Sequence, residues 1–253
     1  MKSMQNLNQQ QGFGELHTAF LAGRVAEYVG AGDLISHIIA LAESPTIVRD
    51  YESAVASVPS WQTKQFPSLW AFRSYRILLH ALVRDMRPQH IVETGVLHGM
   101  TSGFILEALA LNQSGTLTSI DLPSLAESGP ANHDGYNDTL PAGKQPGWII
   151  PARLHPHWNL KLGASRELLP EICAAPQPID MFIHDSEHSY ATMWFELTTA
   201  WDAMRQGGIL VCDNIEANPS FFDFCRRVGR LPLVLPTPSE DRSHAPRFAL
   251  IIR

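Results

Sequence analysis

Two apolar runs in the second half of the chain end in acids. One runs through Phe182 and Ile183 into His184-Asp185-Ser186-Glu187-His188, the other through Leu210 and Val211 into Cys212-Asp213-Asn214. As parallel neighbouring strands, about 4.8 Å apart, they bring Asp185 and Asp213 together over one sheet edge. Two carboxylates and an Asn214 amide oxygen are hard donors of the kind Mg²⁺ prefers, an ion that keeps several of its waters. Such an ion acidifies a hydroxyl bound to it and orients that oxygen. The same residues admit a plainer reading, with Asp185 a strand-end acid facing a ligand and Asp213-Asn214 a turn. His188 joins Asp185 as a candidate catalytic residue, because an imidazole pKa near 6.5 suits a general base at neutral pH. It is otherwise a further metal ligand, or a structural residue at the head of a helix. His184 should point away from Asp185 by strand alternation.

A second set of residues suits a nucleoside. The run His90–Thr94 is followed by Gly95-Val96-Leu97-His98-Gly99-Met100-Thr101-Ser102. Gly95 and Gly99 permit a tight turn and close backbone approach, and Thr101 and Ser102 bring hydroxyls to a helix start that can seat a small anion. The spacing is neither GxGxxG nor a phosphate loop with GK[ST], so nicotinamide and nucleoside-triphosphate readings are weak. Asp121 ends the next strand, where an acid can accept hydrogen bonds from both ribose hydroxyls of an adenosine-containing ligand; a buried or capping Asp is the alternative. Ala164 and Ser165 follow the third strand, leaving room for a flat adenine, and Ser165 can equally cap the next helix.

These residues need elements to position them. From Gln89 onward, the strand-like runs HIVET, TLTSID, NLKLG, IDMFIHD and GGILVCDN read as buried on both faces. They alternate with helical patterns at TSGFILEALAL, SRELLPEICA and from His188 to Arg205. That alternation predicts an open, mostly parallel sheet. FFDFCRRVG reads as a helix, and LPLVLP and RFALIIR as an antiparallel pair at the sheet edge. Residues 1–88 contain no convincing strand. Helices are expected from Leu16 to Glu43, divided around Gly30 and Gly32, and from Pro67 to Met86, closed by Pro88. The expectation is therefore a 1–88 helical region packed on an 89–253 domain of the α/β, Rossmann-like, doubly wound class, with seven strands. Residues 123–157 form a long insertion with the look of a lid. Of its aromatics, Tyr136, Trp148 and the adjoining Trp158 could shape a pocket. Trp194, Phe195 and Trp201 read as core, Arg226-Arg227 as a solvated face, and His133, His155 and His157 show no metal-ligand spacing.

Composition narrows the function further. Lys and Arg number 19 against 25 Asp and Glu, a net charge of −6, which argues against nucleic-acid binding because that draws on phosphate neutralisation. Cys173, Cys212 and Cys225 form no CxxC pair and suit a reducing compartment. No apolar run approaches a membrane span, and the polar, Gln-rich start lacks a secretory core, so a cytoplasmic protein is expected.

Glu93-Thr94-Gly95 through Gly99, then Asp121, then Gly163-Ala164-Ser165, resembles the class I S-adenosylmethionine-dependent methyltransferases. Over roughly Gln89 to Arg253 it is most similar to the metal-dependent small-molecule O-methyltransferases of the catechol and macrocin types. The resemblance implies that Glu93, Gly95 and Thr101 surround the methionine part of the cofactor, Asp121 the ribose, and Ala164 and Ser165 the adenine. It also implies a divalent cation on Asp185, Asp213 and Asn214 that chelates the acceptor's hydroxyls. A Lys of the catechol-type relatives is replaced here by His188, a departure that bears on the base. Methyl transfer to a hydroxyl of a sugar or natural product is the implied reaction, with a homodimer through the N-terminal helices. A metal-independent O- or N-methyltransferase and a non-catalytic cofactor-binding protein are the alternatives.

Overall fold

The computed structural model describes residues 2–61, 68–125, 138–236 and 247–253. His133, Tyr136, residues 126–137 of the insertion and residues 237–246 lie outside them. Four helices come first: α1 (Lys2–Val29), α2 (Leu34–Glu43), α3 (Thr46–Ala56) and α4 (Ser74–Met86). Strands and helices then alternate as β1 (His90–Thr94), α5 (Met100–Asn112), β2 (Thr116–Asp121), β3 (Trp158–Leu162), α6 (Ser165–Cys173) and β4 (Ile179–His184). The remainder is α7 (Tyr190–Ala203), β5 (Met204–Cys212), α8 (Ser220–Val228), β6 (Leu233–Pro236) and β7 (Arg247–Ile252).

The seven strands form one sheet in the order β3-β2-β1-β4-β5-β7-β6. The first five run parallel, and β7 runs antiparallel between β5 and the edge strand β6. Alternation along the strands sorts the core into two layers. Ile91, Met181, Ile183, Ile209 and Val211 pack under α1 to α5 in a single cluster, while Val92, Phe182, Leu210 and Cys212 pack under α6 to α8. The N-terminal helices thus share one continuous core with the sheet. Among the described residues no helix is long and apolar enough to cross a membrane.

Several boundaries differ from the sequence expectation, each for a local reason. NLKLG does not form a strand buried on both faces: β3 is outermost, with Asn159, Lys161 and Leu162 exposed and Leu160 half-buried. The helix expected from Pro67 starts at Ser74, after a 3₁₀ turn at Leu69–Ala71 and an extended Phe72. Helix α4 has no fully solvated face, since α1 and α2 cover one side and α5 another, burying nine of its residues. The helix expected from His188 starts at Tyr190, with the Ser189 hydroxyl accepting from the Thr192 amide, and yields to β5 at Met204. His188 therefore sits in the loop ahead of α7.

Helix α3 escaped the sequence reading, yet it pins α5. Fully buried Tyr51 donates from its hydroxyl towards the carbonyls of Gly99 (3.1 Å) and Met100 (3.0 Å). Its ring passes so close to α5 that a Cβ on Gly103 would lie 1.7 Å from the hydroxyl oxygen. Gly103 has ordinary helical dihedrals, so the constraint is contact alone. Gly103→Ala is expected to destabilise the fold by about 1–3 kcal/mol through overpacking. Urea titration should show that cost shrinking in a Tyr51→Phe background, where the clashing oxygen is gone.

Candidate functional site

The carboxyl ends of β1, β2, β4 and β5 open into a cavity of ≈ 400 Å³, within the range of small-molecule sites. Gly95, Thr101, Asp121, Ala164, Ser165, Asp185, His188, Asp213 and Asn214 all line it. Glu93 and Gly99 do not. The sequence-derived set is thus brought together with those two displaced to other work.

Glu93 lies in the buried stretch of β1, fully enclosed, accepting from the hydroxyls of Ser102 (2.7 Å) and Ser119 (2.8 Å). Strand alternation turns it towards α5 rather than into the cavity. Burial pushes its carboxyl up to about 8, against the pull of the two serine bonds. Gly99, with φ +93°, starts α5, and a Cβ there would lie 2.7 Å from Gly147 Cα and from Ile150. Its bare face meets the returning insertion. At Gly95 the reason is different: a Cβ would lie 1.9 Å from the Asp185 carbonyl oxygen, so only glycine lets β1 and β4 end side by side.

Asp121 organises the turn between those glycines. Its Oδ2 accepts from the amides of Val96 (2.7 Å) and Leu97 (2.8 Å), holding Leu97 in a left-handed conformation at φ +46°. A leucine there is strained by about 1–3 kcal/mol, offset by the charged hydrogen bonds. Burial raises the Asp121 pKa, and the two amides partly oppose that. Farther along, Ala164 takes the N-cap position of α6 without a side-chain cap bond, and Ser165 begins the helix with its hydroxyl turned to Glu196.

At the other end, Asp185 Oδ2 accepts from the Tyr75 hydroxyl (2.6 Å) and the Thr101 hydroxyl (3.2 Å), which are themselves 2.5 Å apart. Burial, and then the charge on Asp185, push the Tyr75 phenol far above its usual range, so it stays a donor. Arg73 lies 3.5 Å from Asp213 Oδ2. Asp213 is buried and its pKa is pushed up to about 7, first by desolvation and then by Asp185; Arg73, His188 and the Asn214 amide pull the other way. Asn214 turns the chain with φ +49°. His188 is 8% exposed and its ring lies edge-on to His184, 5.5 Å away. His184 itself turns to the opposite sheet face, its Nδ1 2.6 Å from Glu196 Oε2.

The donor chemistry fits a hard divalent cation. Two carboxylates repel each other, and Asp213 Oδ1 is buried without a hydrogen-bond partner. Among the described residues no group of three or more His, Cys, Asp and Glu side chains converges on a metal position. A cation seated on these two acids would take its remaining donors from the Asn214 amide oxygen and from water.

Sequence reading missed four contributors. Arg73, Tyr75 and Arg76 head α4, where the only signal was a polar cluster opening an otherwise apolar helix. Glu196, a lone acid within MWFELTTAW, lines the cavity from α7. The other aromatics resolve as follows. Trp158 and Trp148 pack against the larger core, with the Trp148 indole donating to His98 Nδ1 at 3.0 Å. Trp194 and Trp201 pack on the second core and Phe195 lies under Arg166. His155 lies beside Trp158 and His157 bonds the Gly115 carbonyl. Arg226 pairs with Asp223, while Arg227 covers Trp194.

The strand order, the glycine turn after β1 and the acid ending β2 define a class I, Rossmann-like methyltransferase architecture. Residues 92–215, just under half of the chain, match the family model described as a methyltransferase domain. Solved structures share the fold. The O-methyltransferase TomG of Streptomyces achromogenes, involved in tomaymycin synthesis and bound to S-adenosylmethionine, is 20% identical over 80% of this chain and 88% of its own, with a TM-score of 0.55. An O-methyltransferase of Bacillus cereus in complex with S-adenosylhomocysteine is 15% identical over 95% and 100%, with a TM-score of 0.51. The S-adenosylhomocysteine-bound methyltransferase PaMTH1 of Podospora anserina is 14% identical over 92% and 94%, also at 0.51. No curated protein gives a significant sequence match.

The Glu93 environment sets a pH dependence. Between its ordinary value of 4.5 and about 8, the folded protein holds a proton that the unfolded chain releases. Stability from this group is therefore full below pH 4.5 and falls as pH rises towards 8. Denaturant titrations at pH 5 and pH 9 should show wild type losing about 2–5 kcal/mol more than Glu93→Gln, which cannot ionise.

Proposed function

We propose that this protein transfers the methyl group of S-adenosylmethionine to a hydroxyl of a small molecule, such as a sugar or natural product bearing neighbouring hydroxyls, with Mg²⁺ assisting. The observation that carries it is a cavity whose wall carries Asp185, Asp213, Asn214 and His188 towards one end and Asp121, Ala164 and Ser165 towards the other. Laid along the sheet, an adenosyl ligand has its ribose over Asp121 and its sulfonium facing the acids. When bound, the sulfonium supplies an already activated methyl group. A cation on the Asp185, Asp213 and Asn214 oxygens supplies the charge that favours a deprotonated acceptor hydroxyl.

The chain's own residues do the rest. Tyr75 and Thr101 fix the Asp185 carboxylate by hydrogen bonds, and pre-positioning of this kind is where a bimolecular transfer gains most of its rate. His188, at the cavity wall, takes the acceptor proton on its imidazole. The net charge of −6 supports a small-molecule acceptor over nucleic acid. The unpaired Cys173, Cys212 and Cys225 fit a reducing, cytoplasmic setting. Leu16, Phe20, Ile35 and Ile39, exposed on α1 and α2, support pairing of two copies through these helices.

Arg73 favours a second reading. Its guanidinium already stands beside Asp213, and a resident cation of this kind supports a metal-independent O- or N-methyltransferase. Methyl-labelled S-adenosylmethionine with a panel of catechol and glycoside acceptors separates the two. Under Mg²⁺ assistance, EDTA and Asp213→Ala each lower turnover about 100-fold or more, while His188→Ala lowers it about 100- to 10,000-fold without weakening S-adenosylhomocysteine binding. Turnover that survives both EDTA and Asp213→Ala establishes the metal-independent reaction instead. A folded protein with no affinity for S-adenosylhomocysteine would overturn both.

A further inference from the structure

Arg76 carries a charge that nothing in the described structure answers. It lines the cavity, half-buried, on the first turn of α4. Its Nε donates to Thr101 Oγ1 at 3.2 Å, Nη1 lies 3.6 Å from Met100 Sδ, and its Cζ stands 5.7 Å from the Tyr75 ring centre. All three neighbours are uncharged. Among the described residues, the α4 arginine with a carboxylate partner in the cavity is Arg73, turned to Asp213. A guanidinium with donors to spare, held among neutral groups at a cavity wall, is a seat for a carboxylate, which matches its fork with paired hydrogen bonds.

The order of the strands says which carboxylate arrives there. Crossing the cavity from β3 to β2, β1 and β4 covers three strand spacings, about 14 Å. The same walk passes Ala164 and Ser165, then Asp121, then Gly95 and Thr101, then Asp185. An adenosyl ligand with its base at the first pair and its ribose at Asp121 has its amino-acid end over β1 and the start of α5. Arg76 is bonded to Thr101 at that spot. We propose that Arg76 binds the carboxylate of the amino-acid end of S-adenosylmethionine, an assignment that rests on the methyltransferase reading above. The role is one of binding: Arg76 meets Asp185 through the Thr101 hydroxyl that bonds both, and it anchors the end of the ligand remote from the methyl group.

Titration calorimetry with two ligands tests this. S-adenosylhomocysteine has the amino-acid end; 5′-methylthioadenosine keeps the adenosyl thioether and lacks it. Arg76→Gln is expected to weaken S-adenosylhomocysteine at least about tenfold, as for loss of a charged hydrogen-bonded pair, and to leave 5′-methylthioadenosine within about twofold. Arg76→Lys, which keeps the charge without the fork, should recover part of the loss; it also carries the test should Arg76→Gln fail to fold. Equal weakening of both ligands would reduce Arg76 to a structural residue and overturn the assignment. Unchanged S-adenosylhomocysteine affinity, with KM raised only for acceptors bearing a carboxylate, would also overturn it and move the anion to the acceptor. If wild-type protein binds neither ligand, the methyltransferase reading falls first and the assignment with it.

Discussion

The buried carboxylate of Glu196 holds the working end of the sheet together. It accepts from the Thr94 hydroxyl at the end of β1 (2.6 Å), the His184 ring at the end of β4 (2.6 Å) and the Ser186 hydroxyl just beyond (2.9 Å), and Ser165 at the start of α6 contributes as well. Burial alone would raise its pKa, but these partners outweigh burial and hold it below the ordinary value. An enclosed charge tolerates no vacancy among its partners, because leaving one unpaired costs about 3–5 kcal/mol. The four segments are therefore fixed relative to one another, and the loops carrying Gly95, Asp185 and Ser165 leave the sheet from defined points.

Polar groups on the two faces of the sheet take opposite states. Below one face, Glu93 answers only two serine hydroxyls and is held as the neutral acid. Below the other, Glu196 answers a histidine and is held as the anion. Strand alternation produces the division: Glu93 and Thr94 are consecutive residues of β1 that face opposite layers. One buried acid thus stays silent near neutrality while the other orders the cavity floor. Half-buried Asp185 and buried Asp213 are left for the cavity side.

Much of this layout could be read from the sequence because the fold puts chemistry where strands stop. Asp121, Asp185 and Asp213 each end an apolar run, and an acid in that position has few structural reasons to be there. The start of α4 gave no such sign. Tyr75 and Arg76 belong to a helix far from the strand ends in sequence, and only tertiary packing brings them to Thr101 and Asp185. Glu196 looked like one polar residue on a helix, since nothing local reveals a carboxylate enclosed on every side. Glu93 and Gly99 show the reverse, standing off the cavity wall. Their types fitted a ligand site, but side-chain direction in one case and a neighbouring loop in the other assigned them elsewhere.

That neighbouring loop is bound to the glycine turn at several points. The Gly147 amide donates to the Leu97 carbonyl at 2.8 Å, a Cβ on Gly99 would collide with Gly147 and Ile150, and one on Gly147 would lie 2.2 Å from the Trp158 ring. The end of the insertion and the first cofactor-side turn are consequently one mechanical unit. A change at the seam therefore moves the end of the insertion and the glycine turn together. Loop exchange between relatives of this fold should therefore find its natural splice point just before Gly147.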